Sequence, residues 1–362
     1  NPFSGIPRNW VGVAFFGLLI LFPFIFSLLA GMPVDAGEAR YWQGQLVPFF
    51  IYAVMAMSYD LLFGYTGILT FGHAAFFGMG GYALGIFLKH VGPKLVPAGS
   101  VVIGTTDLSS TVALLLAFLV VVVICALLGL LFSLVSARVK GVYFAMVTLA
   151  MAEAIYILIK ASDFVTLTGA DEGLQGIPVA EWINPFQNRL TFYYVALIFF
   201  ILSYLVLRRI THSPTGRVLV AIRENEDRVR MIGYNPAVYR TIAFVVAAVA
   251  AGLAGAMLTI WNTSASPRMV GASTTIDALI MTILGGVGTL VGPIVGAGLL
   301  KTFESFFYQW FGPRWPLVFG VIFIALVIFL PYGIVGTWRV KGPGWKAAWR
   351  RWMEKLRAKR KP

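Results

Sequence analysis

Four stretches of this chain run for more than twenty residues without a charge. Residues 9–34, 108–137, 241–267 and 315–338 contain no Asp, Glu, Lys or Arg. A bilayer core about 30 Å thick is crossed by roughly 20 apolar residues in a helix, so each stretch is long enough to span it. A soluble protein with buried helices would show polar residues at helical spacing, and these runs show none. Composition agrees: 12% of residues are charged and 59% apolar, against about 25% charged in a soluble domain. The chain reads as a polytopic α-helical membrane protein. Its first run is longer than the roughly 7–15 residues of a cleaved signal's apolar core, and no small-residue cleavage pattern follows cleanly. The chain starts at Asn1 and not at Met, so a few residues are expected to precede it. The one cysteine, Cys125, lies in an apolar run, which leaves no disulfide within the chain and no metal-ligand cluster.

Positive charge sets the orientation. Of 28 Lys and Arg, ten lie in 339–361 and seven in 208–240, with Arg138 and Lys140 between two apolar runs. Basic loops stay on the cytoplasmic side, so all three regions go inside. The net charge of +13 reports that side and not nucleic-acid binding. Residues 161–189, with four acids and one Arg, go outside. Crossings then fall near 9–34, 41–59, 61–88, 108–137, 141–159, 190–207, 241–267 and 315–338, with both termini cytoplasmic. Parity requires 276–310 to turn back towards the outer side as a re-entrant hairpin, and its glycine content suits a broken helix. Two short crossings there would give ten helices and the same tail. The expected fold is an all-α integral membrane protein with about eight transmembrane helices plus a re-entrant or broken helix, eight to ten in all. One transmembrane domain covers 1–338 and a basic cytoplasmic tail 339–362. In that tail Trp345, Trp349 and Trp352 recur at helical spacing among Lys and Arg, as in an interfacial anchor; contact with a soluble partner is the alternative.

Two glycine-rich segments look related. GYTGILTFG begins at Gly64, continues through Gly67 and ends at Gly72; GGVGTLVG begins at Gly285 and Gly286 and continues through Gly288. Matching interruptions in two halves of a chain mark internal repeats whose broken helices meet at a central site. The plainer reading is that individual glycines only let helices approach closely. Three ionisable residues stand inside spans, Asp60, His73 and Glu153, and such residues are costly there unless used. Glu153 lies about 18 Å along a helix beginning at Gly141, near mid-membrane. Each could equally fix helix packing through a hydrogen bond. No train of acids runs along one span, which argues against a proton or sodium relay.

The loop 208–240 reads RRITHSPTGRVLVAIRENEDRVRMIGYNPAVYR. Ser213 with Pro214 suits a helix start. Val218, Ala221, Ile222, Val229 and Ile232 recur at helical spacing, and Gly233 followed by Asn235-Pro236 stops the helix. A short amphipathic helix between two spans suits a docking element or a solvated interfacial helix.

The motifs LLFGYTGILTFGHAAFFGMGGYA, VYFAMVTLAMAEA, TGADEGL, SPTGRVLVAIRENEDRVRMIGYNP and ILGGVGTLVGPIVGAG occur in this order. Together they closely resemble the LivM-like permeases of branched-chain amino acid ABC importers, over roughly 45–338. The resemblance implies a second, LivH-like permease, two cytoplasmic ATPase subunits and an external or periplasmic substrate-binding protein, in a bacterial or archaeal cytoplasmic membrane. It implies no cofactor in this chain, with ATP and Mg on the partner subunits. By resemblance 213–235 is the coupling element, including Gly216, Arg217, Ala221, Arg223, Glu224, Glu226 and Gly233, and 161–189 faces the binding protein. The candidate translocation path comprises Asp60, Gly64, Gly67, Gly72, His73, Glu153, Gly285, Gly286 and Gly288. No Gly-x-x-x-x-Gly-Lys-Ser/Thr pattern occurs, so ATP chemistry belongs to another chain and the protein is expected not to be an enzyme. Two departures from the family are visible. Asp60 stands where members often carry Asn and urea-type permeases Asp, and Arg228-Val229 stands where adjacent alanines are frequent. Neutral amino acids, urea and short amides therefore remain as substrate classes. An ATP-independent transporter or channel is the alternative of another class.

Overall fold

The computed structural model describes residues 10–31, 37–97, 99–100, 102–103, 106–107, 109–139 and 141–338. The basic tail 339–362 and Lys140 lie outside the described residues. Among the described residues the helices are α1 (Trp10–Ala30), α2 (Gly37–Asp60), α3 (His73–Ile86), α4 (Gly92–Leu95), α5 (Ser109–Ser136), α6 (Gly141–Lys160), α7 (Val165–Thr168), α8 (Arg189–Thr211), α9 (Pro214–Glu224), α10 (Glu226–Met231), α11 (Pro236–Asn262), α12 (Ala272–Gly285), α13 (Val291–Phe311) and α14 (Trp315–Phe329). Among the described residues seven segments are long and apolar enough to cross a bilayer; the last, Val291–Trp338, contains both α13 and α14. Phe15–Leu28 and Ala272–Gly285 are shorter apolar helices. This is the expected all-α membrane fold. Extended structure among the described residues is slight: an antiparallel pair of two-residue strands, β1 (Val102–Ile103) and β2 (Thr106–Asp107).

Contacts fix the direction of each helix. Phe16 of α1 meets Tyr204 of α8 and Phe26 meets Trp42 of α2, so α1 runs against both. Gln309 of α13 reaches Tyr41 and Gly288 reaches Asp60, so α13 also runs antiparallel to α2. The chain ends of the helices therefore collect in two layers. One, called here the basic end, carries α9 and α10; the other, the acidic end, carries the 161–188 segment. That segment folds down onto the bundle. Leu174 and Ala265 exchange backbone bonds of 2.8 and 2.9 Å, and Leu174 and Ile177 pack over Gly85 of α3.

The core is helix-on-helix packing through small residues, as bilayer proteins use. Gly80 of α3 faces Gly252 of α11 backbone to backbone, and Gly129 of α5 sits against Val245 of α11. On the other flank Phe50 of α2 stacks on Phe200 of α8 at 5.5 Å. Outward faces are apolar instead of polar. Leu115, Leu119, Leu127 and Leu134 of α5 are all exposed, the pattern of a lipid-facing helix.

Three local features differ from the sequence reading. α2 runs past its expected end at Tyr59 through a π-helical turn, Leu61–Tyr65, and the break follows at 66–72, within the glycine segment expected to be interrupted. The 213–235 element is two helices: Asn225 adopts φ −162° and its side chain accepts from the Arg228 N–H at 2.9 Å, capping α10. The hairpin after α11 has unequal arms. Its 14-residue first arm, α12, is about 21 Å long, too short to cross, whereas α13 has 21 residues and returns to the acidic end.

Candidate functional site

The two glycine-broken segments meet at the basic end, and Asp60 joins them. Gly67 takes φ +74° and Gly288 φ +73°, left-handed conformations that suit glycine; Leu290 takes φ +53°, a conformation a leucine seldom holds unaided. The break between α12 and α13 frees backbone donors that lipid cannot satisfy. Asp60 satisfies two of them. One carboxyl oxygen accepts from Gly288 N–H at 2.6 Å and the other from Leu290 N–H at 3.2 Å. The Asp60 residue is fully buried. Approach is so close that a Cβ on Gly64 would overlap the Asp60 carboxyl and come within 2.5 Å of Gly288 N.

Arg223 ties this junction to α9: its guanidinium donates to the Gly64 carbonyl, and its stem covers Gly67, where a Cβ would lie 2.7 Å from Arg223 Cγ. The first break is itself capped by neighbours. Phe71 N–H donates to Thr148 Oγ1 at 3.2 Å, Ala74 N–H to Thr275 Oγ1 at 2.8 Å, and Tyr59 O–H to the Thr70 carbonyl at 3.2 Å. Gly72 lies against Phe132 and the Thr148 carbonyl. His73 is buried beside them, its Nε2 2.8 Å from Ser58 Oγ. The Ser58 hydroxyl already donates to Met55 O at 2.7 Å, so His73 carries its proton on Nε2 and presents a bare Nδ1. Gly285 and Gly286 belong to the same junction: Gly285 packs on the Gly292 carbonyl and Gly286 on Tyr332 and Gly336.

The residues expected to form a coupling element divide by environment. Ser213 caps α9, accepting from Gly216 N–H at 3.3 Å, and a Cβ on Gly216 would overlap the Thr211 carbonyl. Glu226 is 13% exposed in its side chain and holds Arg230 and Arg240 at 2.6 Å each, fastening α10 to the root of α11. Arg217 and Glu224 are exposed and Ala221 is half-buried. Gly233 turns the chain at φ +91°. A groove of about 230 Å³ runs over this surface between Val218, Ala221, Ile232 and Tyr234.

Glu153 does not join the junction. It lines a separate cleft with Arg268 and the first residues of α12. The sequence reading also passed over Asp277, Lys301 and Glu304. Lys301 pairs with Glu304 at 2.7 Å and lies 3.7 Å over the Tyr52 ring, with Asp277 of α12 nearby. These charges interrupt the apolar run of 272–311 and are legible in the sequence there. Among the described residues no group of three His, Cys, Asp or Glu could hold a metal ion.

Residues 43–330 match the family described as branched-chain amino acid transport system, permease component. The high-affinity branched-chain amino acid transport system permease protein LivM of Salmonella typhimurium is 25% identical over 309 residues, covering 79% of this chain and 68% of the relative. BraD of Pseudomonas aeruginosa, named as a permease protein of the same kind of system, is 23% identical, covering 79% and 91%. LivH of Escherichia coli is 21% identical over the same shares. No solved structure matches the chain.

Proposed function

The chain belongs to the family of branched-chain amino acid transport-system permease components, and on that premise we propose that it forms half of an importer's path for branched-chain or other neutral amino acids. Its complement is a LivH-like permease; LivH proteins are themselves among its relatives. Two ATPase subunits engage α9 and α10 from the cytoplasm, and a binding protein delivers substrate at the acidic end. The basic end then faces the cytoplasm of a bacterial or archaeal cell, and ATP and Mg are held by the partners, this chain carrying no ATPase motif of its own.

The observation that carries the reading is the Arg223–Gly64 hydrogen bond. It links the short helix best placed to feel an ATPase to the junction of both broken segments. Movement of α9 displaces the π-helical turn directly and, through Asp60, the Gly288–Leu290 turn at the head of α13. Such a junction has few ways to deform, because a buried donor left without an acceptor costs about 1–3 kcal/mol. Closure of the ATPases would thus move the two segments as one body and switch access across the bilayer.

The test is uptake into proteoliposomes. Assembled with its partners, the chain should import amino acid only with ATP, and substitution of Glu224 or Gly233 should abolish uptake without preventing insertion. Uptake by liposomes that lack any ATPase would overturn the reading in favour of a secondary transporter or channel.

A further inference from the structure

A cleft of about 450 Å³ opens between α6 and the start of α12. The turn before α12 that forms one wall is anchored in the bundle: Val270 packs on Gly78 and Met269 on Gly81 of α3. Its walls carry both signs of charge. Lys160 and Asp171 neutralise each other at 2.6 Å. Glu153 of α6 and Arg268 of the turn also line it, and among the described residues neither side chain has an ion-pair or hydrogen-bond partner. Arg268 is held within the field of Asp277 without pairing to it. The third wall is the start of α12 at Gly271, Ala272 and Ser273, where no side chain caps the helix.

Arg268 is exposed and Glu153 half-buried in this open cleft, so both charged heads are accessible to a solute. One free carboxylate stands opposite one free guanidinium, beside the positive end of a half-length helix. That arrangement complements a molecule with an ammonium and a carboxylate on one carbon. Urea and short amides carry no separated full charges and would leave both groups unneutralised. The volume lies in the usual range of small-molecule sites, about 300–1,000 Å³.

We infer that this cleft is a binding station for the zwitterionic head of a free α-amino acid, with Glu153 receiving the ammonium and Arg268, beside the start of α12, the carboxylate. The inference rests on the permease reading and narrows its substrate class, against urea and amides.

The test uses the assembled importer in proteoliposomes, comparing Glu153→Gln and Arg268→Gln with the parent and labelling Ser273→Cys with a methanethiosulfonate. Each charge variant should assemble and lose about tenfold or more in uptake rate, the worth of one lost bond to a charged group. L-leucine should slow Ser273→Cys labelling, isovalerate, isoamylamine and urea should not, and either charge variant should abolish the protection. Unaltered leucine uptake in both variants overturns the station and leaves the permease reading standing. Equal protection by urea overturns it too, as does failure of either variant to copurify with the second permease, which would make the cleft a subunit seam. Leucine protection in a wild-type importer that takes up no amino acid supports the station while sinking the transport reading.

Discussion

Replacing Asp60 by Ala removes the acceptor for two backbone donors at once. Gly288 N–H loses a 2.6 Å bond and Leu290 N–H a 3.2 Å bond, at a site whose other neighbours are Gly64 and the Arg223 guanidinium. A buried donor left unpaired costs about 1–3 kcal/mol, so the pair is worth about 2–6 kcal/mol if neither finds water. Water admitted by the smaller side chain would bring the cost towards the lower bound. Asp60→Asn keeps one side-chain oxygen, which serves Gly288, but turns an N–H₂ towards Leu290 N–H; its cost should be about half. Hydrogen exchange of 286–291 in detergent-solubilised protein reads this directly. About 1.4 kcal/mol is tenfold in an opening equilibrium, so Asp60→Ala should lose at least about tenfold in protection there and Asp60→Asn less. Leu290 at φ +53° should relax with it. Protection within about twofold of the parent in Asp60→Ala would show that the carboxyl does not hold the turn, and the coupling argument built on it would fail.

Gly64→Ala should insert normally yet lose most uptake, because its Cβ overlaps the Asp60 carboxyl and pushes the two broken segments apart; transport assays at matched membrane abundance check it. Arg223→Gln should leave ATP hydrolysis by the assembled importer and lower the amount of solute moved per ATP, since it loosens α9 from Gly64; the ratio of uptake to phosphate release measures this. Glu226→Gln breaks contacts to Arg230 and Arg240 in a site where Glu226 and Arg240 are 13% and 14% exposed. It should destabilise α10 locally by about 1–3 kcal/mol, between the exposed and buried limits for ion pairs, visible as faster exchange over 226–234.

The spans were legible because lipid demands long apolar runs, and charge counting ordered them. The same rule explains what sequence placed less well. Apolar periodicity carries no sign of where a helix unwinds, so α2 read as ending near Asp60 when a π-helical turn carries it to Tyr65. Between Ile222 and Val229 the apolar spacing stays helical, and only the capping chemistry of Asn225 splits the element in two. Correspondence of GYTGILTFG with GGVGTLVG pointed to two related breaks, but not to Asp60 as the group spanning them. That contact joins residues 228 apart in sequence, and no local signal encodes it. Glu153 and Asp60 read alike as isolated acids in spans. Their surroundings separate them: one is buried in backbone bonds, the other lines an open cleft.

The two ends of the mechanism are joined by one short rod. α12 starts at the cleft with Ala272 and ends at the junction with Gly285. Its packing invites sliding more than bending. Gly296 of α13 lies against the Met281 carbonyl and Gly285 against the Gly292 carbonyl, so the hairpin arms touch through backbone with few interlocking side chains. Thr282 Oγ1 is shared between the Ala278 carbonyl, at 2.8 Å, and the Ala56 carbonyl of α2, at 3.3 Å, a contact that can be exchanged at little cost. A helix spanning the full bilayer would be gripped at both interfaces. One about 21 Å long is held only by its neighbours, so on the proposed reading a push on the Gly288 turn from α9 would be transmitted along it to Gly271 and Arg268. On that reading the unequal hairpin thus supplies what a plain pair of spans would not: a part with one end at the Asp60 junction below α9 and the other in the wall of the Glu153–Arg268 cleft.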